Sequence, residues 1–486
     1  METGHGGEER IGFFTRVWQQ RVKAPLSQFK SNVAQLPKKV KKIAQDDPRR
    51  VIHSLKVGLA LTLVSLFYYF RPLYNGFGVS TMWAVLTVVV VFEYTVGATL
   101  GKGLNRTFAT SLAGALAVGA HHLASLTGEK GEPILLGASV FLLAAAATFA
   151  RFFPGIKARY DYGVVIFILT FSLVAVSGYR VDEIIELAHQ RLSTIIIGGF
   201  TCVLIAIFVC PVWAGEDLQN LIAQNIEKLS CFLEGFGSEY FKEEEGETGD
   251  VSKEDKTCLQ SYKSVLNTKA SEEALANFAR WEPSHGRFLF HHPWNLYLKI
   301  GSLARQCAYS IESLNAFVGS GTKAPKEFQQ KIKAACTKMS SETGKALLEL
   351  SSSMRTMTQP TSATEHVAKA KTAAANLKNS LKTDLLEIDL LEIVPAVNVA
   401  SLLMEIVAQT EEIKEAIDEL ARVAKFKNPT FVTDRTPSLS RAAIKPLSDN
   451  MDGPHVVIDI SGSTTSDSPE NAKVSHEITR IRNVDA

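Results

Sequence analysis

Apolar positions along this chain follow two regimes. From 51 to 213 they run almost unbroken, whereas beyond 215 they recur every three or four residues among Lys, Glu, Asp and Ser. Unbroken runs near 20 residues match the thickness of a bilayer core, and recurrence at three and four marks one apolar stripe per helix. The first regime predicts six membrane spans, 51–70, 79–94, 97–120, 133–153, 161–178 and 191–213. The second and third nearly abut, so a tight turn around Tyr94 to Gly97 must join them. The second regime, in segments such as DLQNLIAQNIEKLSCFL and WNLYLKIGSLARQCAYSIESLNAFV, predicts a bundle of about five or six long helices. Helix starts are expected after Pro293, Pro325 and Pro395. Strand signals are nearly absent.

The expected architecture is therefore an all-α membrane protein, six transmembrane helices followed by a cytosolic helical bundle. Its parts are a cytosolic basic N-terminal segment (1–50), a transmembrane domain (51–213), a cytosolic helical domain (214–426) and a disordered tail (427–486) rich in Ser, Thr, Pro and Asp. Composition alone hides this division. A net charge of +2, 21% charged residues and a mean hydropathy of +0.06 describe an ordinary soluble protein. Basic residues set the orientation: Lys38, Lys39, Lys41, Lys42, Arg49 and Arg50 precede the first span, and Arg151, Lys157 and Arg159 follow the fourth, which places both on the cytosolic side. Both termini are then cytosolic. Asp47-Pro48 suits a helix start, with Asp as N-cap and Pro at the first helical position.

The six cysteines, at 202, 210, 231, 258, 307 and 336, form no C-x-x-C and on this topology are expected to be reduced packing residues. No phosphate-binding G-x-x-x-x-G-K-[ST], no G-x-S-x-G and no H-E-x-x-H is present, so no enzyme is indicated, nor is a nucleic-acid partner. His285, His291 and His292 lie in WEPSHGRFLFHHPW without a cysteine nearby, and their spacing matches no common zinc pattern. A turn packing Trp281, Phe288, Phe290 and Trp294 is expected there instead.

Lys102 and Arg106 stand near the start of the third span, GATLGKGLNRTFATSLAGALAVGA. Either the span begins after Arg106 and both side chains reach back to the headgroups, or both face a water-filled path. They are one helical turn apart and share a face. Glu93, ending VVVVFE, is expected to pair with Lys102, with holding the tight turn, tuning entry or plain solvation as the alternatives. Gly97, Gly101, Ala109, Ala113 and Ala117 would let neighbouring helices approach closely.

DDPRRVIHSLKVGLALTLVS, MWAVLTVVVVFEYTVGATLGKGLNR, RFFPGIKARYDYGVVIFILTF, FVCPVWAGEDL and ANFARWEPSHGRF, in this order, resemble the plant aluminium-activated malate transporter family over about Asp46 to Lys427. The resemblance implies an anion channel for malate above all and for inorganic anions, embedded in membrane lipid as a homodimer. It implies the plasma membrane, with the vacuolar membrane as the alternative. Arg106 and Arg191 match the positions where the family places pore arginines, with Lys102 nearer the cytosolic mouth. Trp281, Glu282 and Pro283 form a motif typical of the cytosolic half. Glu282 is expected to bind a basic partner, such as one in the fourth-to-fifth connection, and couple the two domains.

No cofactor is implied beyond Al³⁺ as an activator. A trivalent hard cation needs clustered carboxylates, and Asp182 and Glu186 of the third outer loop have suitable helical spacing. The first outer loop, RPLYNGFG, has Asn75 and no acid, a departure from what the family's responsive members are expected to carry. An aluminium-insensitive channel, or a membrane-anchored scaffold without transport, remain the alternatives. Arginines at membrane depth speak against the scaffold.

Overall fold

Asp47 accepts the backbone N–H of Arg49 at 3.1 Å and starts α1 (Pro48–Tyr69), as an Asp-Pro pair should. The computed structural model describes residues 41–42, 44–45, 47–69, 81–128, 130–178, 184–241, 258–289, 291–319, 325–384 and 390–428. Asn75, Asp182, Glu183, Phe290 and the tail from 429 onward fall outside these residues, as does the side chain of Glu186. Among the described residues the chain is helical, with two isolated β-bridges, His285 to Phe288 and Thr358 to Lys427.

Each expected span coincides with a helix: α1, α2 (Thr81–Val91), α3 (Val96–Ser125), α4 (Glu132–Ala150), α6 (Asp161–Gly178) and α7 (Ile184–Phe208). A six-residue helix, α5 (Pro154–Arg159), lies in the connection between α4 and α6. The tight turn before α3 is closed by Thr95, whose hydroxyl accepts from Ala98 N–H at 3.3 Å. Most boundaries lie within three residues of expectation, but α7 begins seven residues early, at Ile184, and both α3 and α7 end about five residues from the expected point. α3 continues to Ser125, past the apolar window, because no breaker intervenes before Gly128 at φ +77°. α7 stops at Phe208 because Pro211 disfavours helical backbone at the preceding residue, and Cys210 sits at φ +44°.

Three described helical stretches are long and apolar enough to cross a membrane, Glu132–Ala150, His189–Phe208 and Ile393–Val423. Met82–Val91 and Asp161–Ser177 are apolar but shorter. α1 and α3, which hold Lys56, Lys102 and Arg106, are not among the three. Many large side chains on the first six long helices face outward: Ile134, Phe141 and Phe208 are each more than 70% exposed. Small residues let these helices approach, with Ala113 and Ala117 of α3 packed on Phe171, Val174 and Ala175 of α6.

The remaining helices are α8 (Ala214–Tyr240), α9 (Lys269–Ala279), α10 (Trp294–Gly319), α11 (Lys326–Thr356), α12 (Thr361–Asp384) and α13 (Leu390–Val423), with a 3-10 turn over Ser261–Asn267 before α9. Leu218, Ile222, Ile226, Leu229, Leu233 and Phe236 form the buried stripe of α8, meeting Tyr262, Tyr297, Ile300, Ile311, Leu347 and Leu350 in one core. Each such side chain contributes about 1.5–3 kcal/mol. α8 lies against α10 and α11, α11 against α12, and α10 against α13. Ile393–Val423 belongs to this core and is half buried in it, which explains its hydropathy without a bilayer.

α10 and α11 start after Pro293 and Pro325 as expected, but Pro395 lies inside α13. Near the helix start its missing N–H removes only one backbone bond. The cysteines also depart from expectation. Cys231 and Cys258 are joined as a disulfide with Cα atoms 5.8 Å apart, while Cys202, Cys307 and Cys336 are buried thiols and Cys210 is exposed.

Candidate functional site

α3 and α7 bring two arginines together. Arg106 is 4% exposed, and its Nη1 donates to the Tyr162 hydroxyl of α6 at 3.1 Å. Its Nε is buried without a partner. Arg191 is also buried, with its guanidinium carbon 4.0 Å from the centroid of the Trp83 ring of α2. The ring face attracts the cation without neutralising it. The two guanidiniums lie within Coulombic reach of each other, and among the described residues neither has a carboxylate partner. A buried, unpaired like-charge couple is costly. An anion between them would relieve that cost.

Lys102 is placed differently. Its Nζ pairs with the Glu93 carboxylate and lies 5.6 Å from the centroid of the Tyr162 ring, so its charge is already matched. The Glu93 backbone N–H donates to the Thr99 hydroxyl at 3.0 Å, which fixes the turn between α2 and α3. Sequence reasoning missed a further buried cation. Lys56 of α1 is 4% exposed, and its Nζ donates to the Cys210 carbonyl at 2.7 Å, just past the end of α7. The signal was available: one lysine interrupts VIHSLKVGLAL.

A second cluster forms where the C-terminal bundle meets α3. α9 ends at Ala279, and the chain then turns through Trp281, Glu282 and Pro283. The Glu282 side chain is 1% exposed. Its carboxylate accepts Ala214 N–H at 2.6 Å and Gly215 N–H at 3.1 Å, the first two residues of α8, and also the Gly97 N–H at the start of α3. One carboxylate thus ties two helix N-termini, each with the positive end of its dipole turned toward it. Burial nevertheless pushes its pKa up to about 7. The partner expected for Glu282 in the connection between α4 and α6 is not what it meets: its hydrogen bonds come from backbone amides, and the basic side chain beside it is His285, with Nε2 4.0 Å away. Trp281 is the residue that meets the connection between α4 and α6, edge-on to Tyr160.

Glycines permit this approach. A Cβ on Gly97 would lie 2.3 Å from the Phe278 carbonyl oxygen, and one on Gly215 would lie 2.4 Å from Cη2 of Trp294. Gly101 faces Trp281 at 2.9 Å in the same sense. Of the small residues noted in α3, Gly97 and Gly101 therefore serve the junction, whereas Ala113 and Ala117 serve α6.

The histidines pack the same turn. His285 stacks on Trp213 with ring centroids 3.7 Å apart, and its Nδ1–H donates to the Pro283 carbonyl at 2.9 Å. His292 is buried beside Trp294 and hydrogen-bonds the Tyr297 hydroxyl at 3.1 Å, and burial pushes its pKa down to about 4. Among the described residues no three His, Cys, Asp or Glu side chains gather as a metal site. Asp182 and the Glu186 side chain lie outside them. Two cavities open at the junction. One of about 480 Å³ is lined by Arg159, Tyr160, Arg280, Trp281 and Asn295 among others. Another of about 230 Å³ includes Lys102, Lys157 and Tyr162, and shares Arg159 and Trp281 with the first.

Buried cations between apolar helices, joined to a helical bundle through a Trp-Glu-Pro turn, define a membrane protein built to meet anions. The chain belongs to the aluminium activated malate transporter family, whose model matches residues 41–388. It is 51% identical to aluminum-activated malate transporter 2 of Arabidopsis thaliana over 448 residues, 92% of this chain and 89% of that relative. Aluminum-activated malate transporter 1 of Triticum aestivum is 50% identical over 422 residues, 85% of this chain and 91% of the relative. Aluminum-activated malate transporter 1 of Arabidopsis thaliana is 47% identical over 437 residues, 88% of each. The family is one of transporters, not of enzymes.

Proposed function

We propose that this protein is an anion channel that releases malate and inorganic anions across the plant plasma membrane. In this reading α1, α2, α3, α4, α6 and α7 are six spans, the C-terminal helices form a cytosolic bundle, and two copies assemble as a homodimer. The carrying observation is the pair Arg106 and Arg191, buried within reach of each other and without a carboxylate partner among the described residues. A dicarboxylate leaving water loses hydration, and fixed positive charge in a polar path replaces part of it, provided binding stays weak enough for release. The outward-facing Phe141, Phe208 and Ile134 support a hydrocarbon surround for these helices.

Aluminium enters as an activator from outside, with Asp182 and Glu186 as the proposed oxygen donors. A second reading, an aluminium-insensitive channel, is favoured by one observation: RPLYNGFG contains no acid and has Asn75 as its only amide. Current recording in oocytes loaded with malate, with and without external aluminium, separates these readings. Outward malate flux is expected without aluminium, and an added aluminium-evoked component decides for activation. A protein at the cell surface that carries no anion current under either condition would leave the scaffold reading standing.

A further inference from the structure

The connection between α4 and α6, FARFFPGIKARYD, sets aromatic and cationic side chains within one short helix of each other. Phe149, Phe152 and Phe153 are 65%, 78% and 53% exposed, and they cluster with ring centroids 5.8 and 6.4 Å from Phe149. Arg151 is committed to Asp161 through two hydrogen bonds of 2.7 and 3.1 Å. Lys157 and Arg159, at the end of α5, are exposed. Asp161 lies within Coulombic reach of Lys157 but is held by Arg151, and Arg159 has no ion pair among the described residues.

Arg280, the C-cap of α9, approaches from the bundle. Its two guanidinium arms donate to Asn277 at 3.2 Å and Asn295 at 2.6 Å, amide oxygens that orient the cation without neutralising it. The charge of Arg159 reaches Arg280 across the cavity of about 480 Å³ that both line with Tyr160 and Trp281. Two guanidiniums from opposite sides of the junction therefore converge on one open space and repel. A phosphate group, with oxygens for two planar forks, converts that repulsion to attraction. A soluble phosphate would have no use for three exposed phenylalanines on the same connection as Arg159, one short helix away. A lipid would, because aromatic rings settle at headgroup depth and basic pockets at the cytosolic face take anionic headgroups.

We propose that this cavity binds an anionic phospholipid, its phosphate between Arg159 and Arg280 with Lys157 alongside, and its acyl chains leaving along Phe152 and Phe153. The site rests on the reading that the connection between α4 and α6 faces the cytosolic leaflet. Because Arg159 ends α5 and Arg280 follows α9, the lipid would brace the junction next to Glu282.

The test uses the full chain in detergent, with short-chain phosphatidic acid, glycerol phosphate and inorganic phosphate as probes, read by native mass spectrometry and by the thermal unfolding midpoint. Phosphatidic acid is expected to bind at least about tenfold more tightly than glycerol phosphate and to raise the midpoint. Arg159→Gln with Arg280→Gln should weaken it about tenfold or more, while the corresponding lysine pair keeps part of the binding. Phe152→Ser with Phe153→Ser should weaken the lipid and leave glycerol phosphate unchanged. Equal affinity for glycerol phosphate or inorganic phosphate would make this a free-phosphate site and overturn the proposal. So would wild-type lipid binding in a glutamine pair whose lipid-free midpoint is normal. Labelling of Lys157→Cys from the outer face alone would overturn the topology and the site with it. A protein that binds lipid in this pattern yet carries no anion current would sink the conduction reading and leave the lipid site standing.

Discussion

The N-terminal and C-terminal halves of this chain use the same element for opposite ends. In the C-terminal bundle Phe232, Tyr262 and Tyr297 are fully buried, and ion pairs such as Lys299 with Glu419 lie outside. In the N-terminal half Phe108, Phe141 and Phe208 face outward while Arg106 and Arg191 are buried. Water drives the first arrangement by expelling apolar surface. That force does not act between helices already in hydrocarbon, so the second is held by close backbone packing. Gly198 of α7 shows it, since a Cβ there would lie 2.7 Å from the Ala84 carbonyl oxygen of α2. A residue's burial therefore means different things in the two halves. In the bundle it is stability, and between α3 and α7 it marks the proposed site.

The junction is where this contrast breaks most easily. Gly97→Ala and Gly215→Val place carbon against the Phe278 backbone and the Trp294 ring, and neither can move far. Overpacking of this kind costs about 1–3 kcal/mol or more, with a loss of folded protein expected in both. Gly58→Ala and Gly114→Ala, with nothing within 4 Å of the added carbon, should gain up to about 1 kcal/mol as helix formers. Fluorescence-detected gel filtration and thermal midpoints of the four variants check this, and four similar values would remove the junction from its special place.

The arginines and the bundle core should respond with opposite signs. Phe232→Ala is expected to cost about 3–5 kcal/mol with current falling only in proportion to protein. Arg106→Met and Arg191→Met remove an uncompensated buried charge and should leave stability equal or higher by about 1 kcal/mol. Anion current at equal surface density should still fall at least about tenfold, with malate losing more than chloride. Methionine variants that keep both conductance and selectivity would show that the path runs elsewhere.

Six helices at the six apolar runs were legible because length and hydrophobicity alone locate such elements. Arg106 and Arg191 were legible as charges out of place, the second through family resemblance. What stayed hidden was contact across long separations. Glu282 is 67 residues from Gly215, and nothing in WEP says that a carboxylate will find helix amides instead of a basic side chain. Gly97 looked like a residue for packing span against span, because a glycine's neighbour is invisible in the sequence. Cys231 and Cys258 were read as separate thiols because spacing without C-x-x-C carries no pairing information. Pro395 was read as a boundary because proline usually is one.

Two titrations at the junction give a smaller and sharper test. Glu282 goes from an ordinary 4.5 to about 7 on folding, so its contribution is complete below 4.5 and is lost as pH rises toward 7. His292 goes from 6.5 to about 4, so its contribution is complete above 6.5 and is lost as pH falls toward 4. Each is worth at most about 3 kcal/mol, and between 4.5 and 6.5 they oppose. The wild-type midpoint should thus be nearly flat in that window. Glu282→Gln should uncover a fall on acidification, and His292→Gln a fall on alkalinisation up to pH 7. Thermal scans across pH decide, and a Glu282→Gln profile that follows the wild type would show the carboxylate to be an ordinary one.

The smallest effect is expected where charge is already matched. Lys102 and Glu93 are paired, with side chains 32% and 36% exposed, and such pairs contribute about 0–1 kcal/mol. Lys102→Gln should leave the midpoint within that range. Its influence on conduction acts at a distance, by raising anion concentration near the cavity that Lys102 lines with Lys157 and Tyr162. Current should fall modestly at low salt and recover as ionic strength rises, since the Debye length shrinks from about 10 Å at 0.1 M to about 3 Å at 1 M. Arg106→Met, acting by contact, should show no such recovery. If the two variants respond alike to salt, Lys102 and Arg106 belong to one site, and α3 does not carry one paired and one unpaired cation.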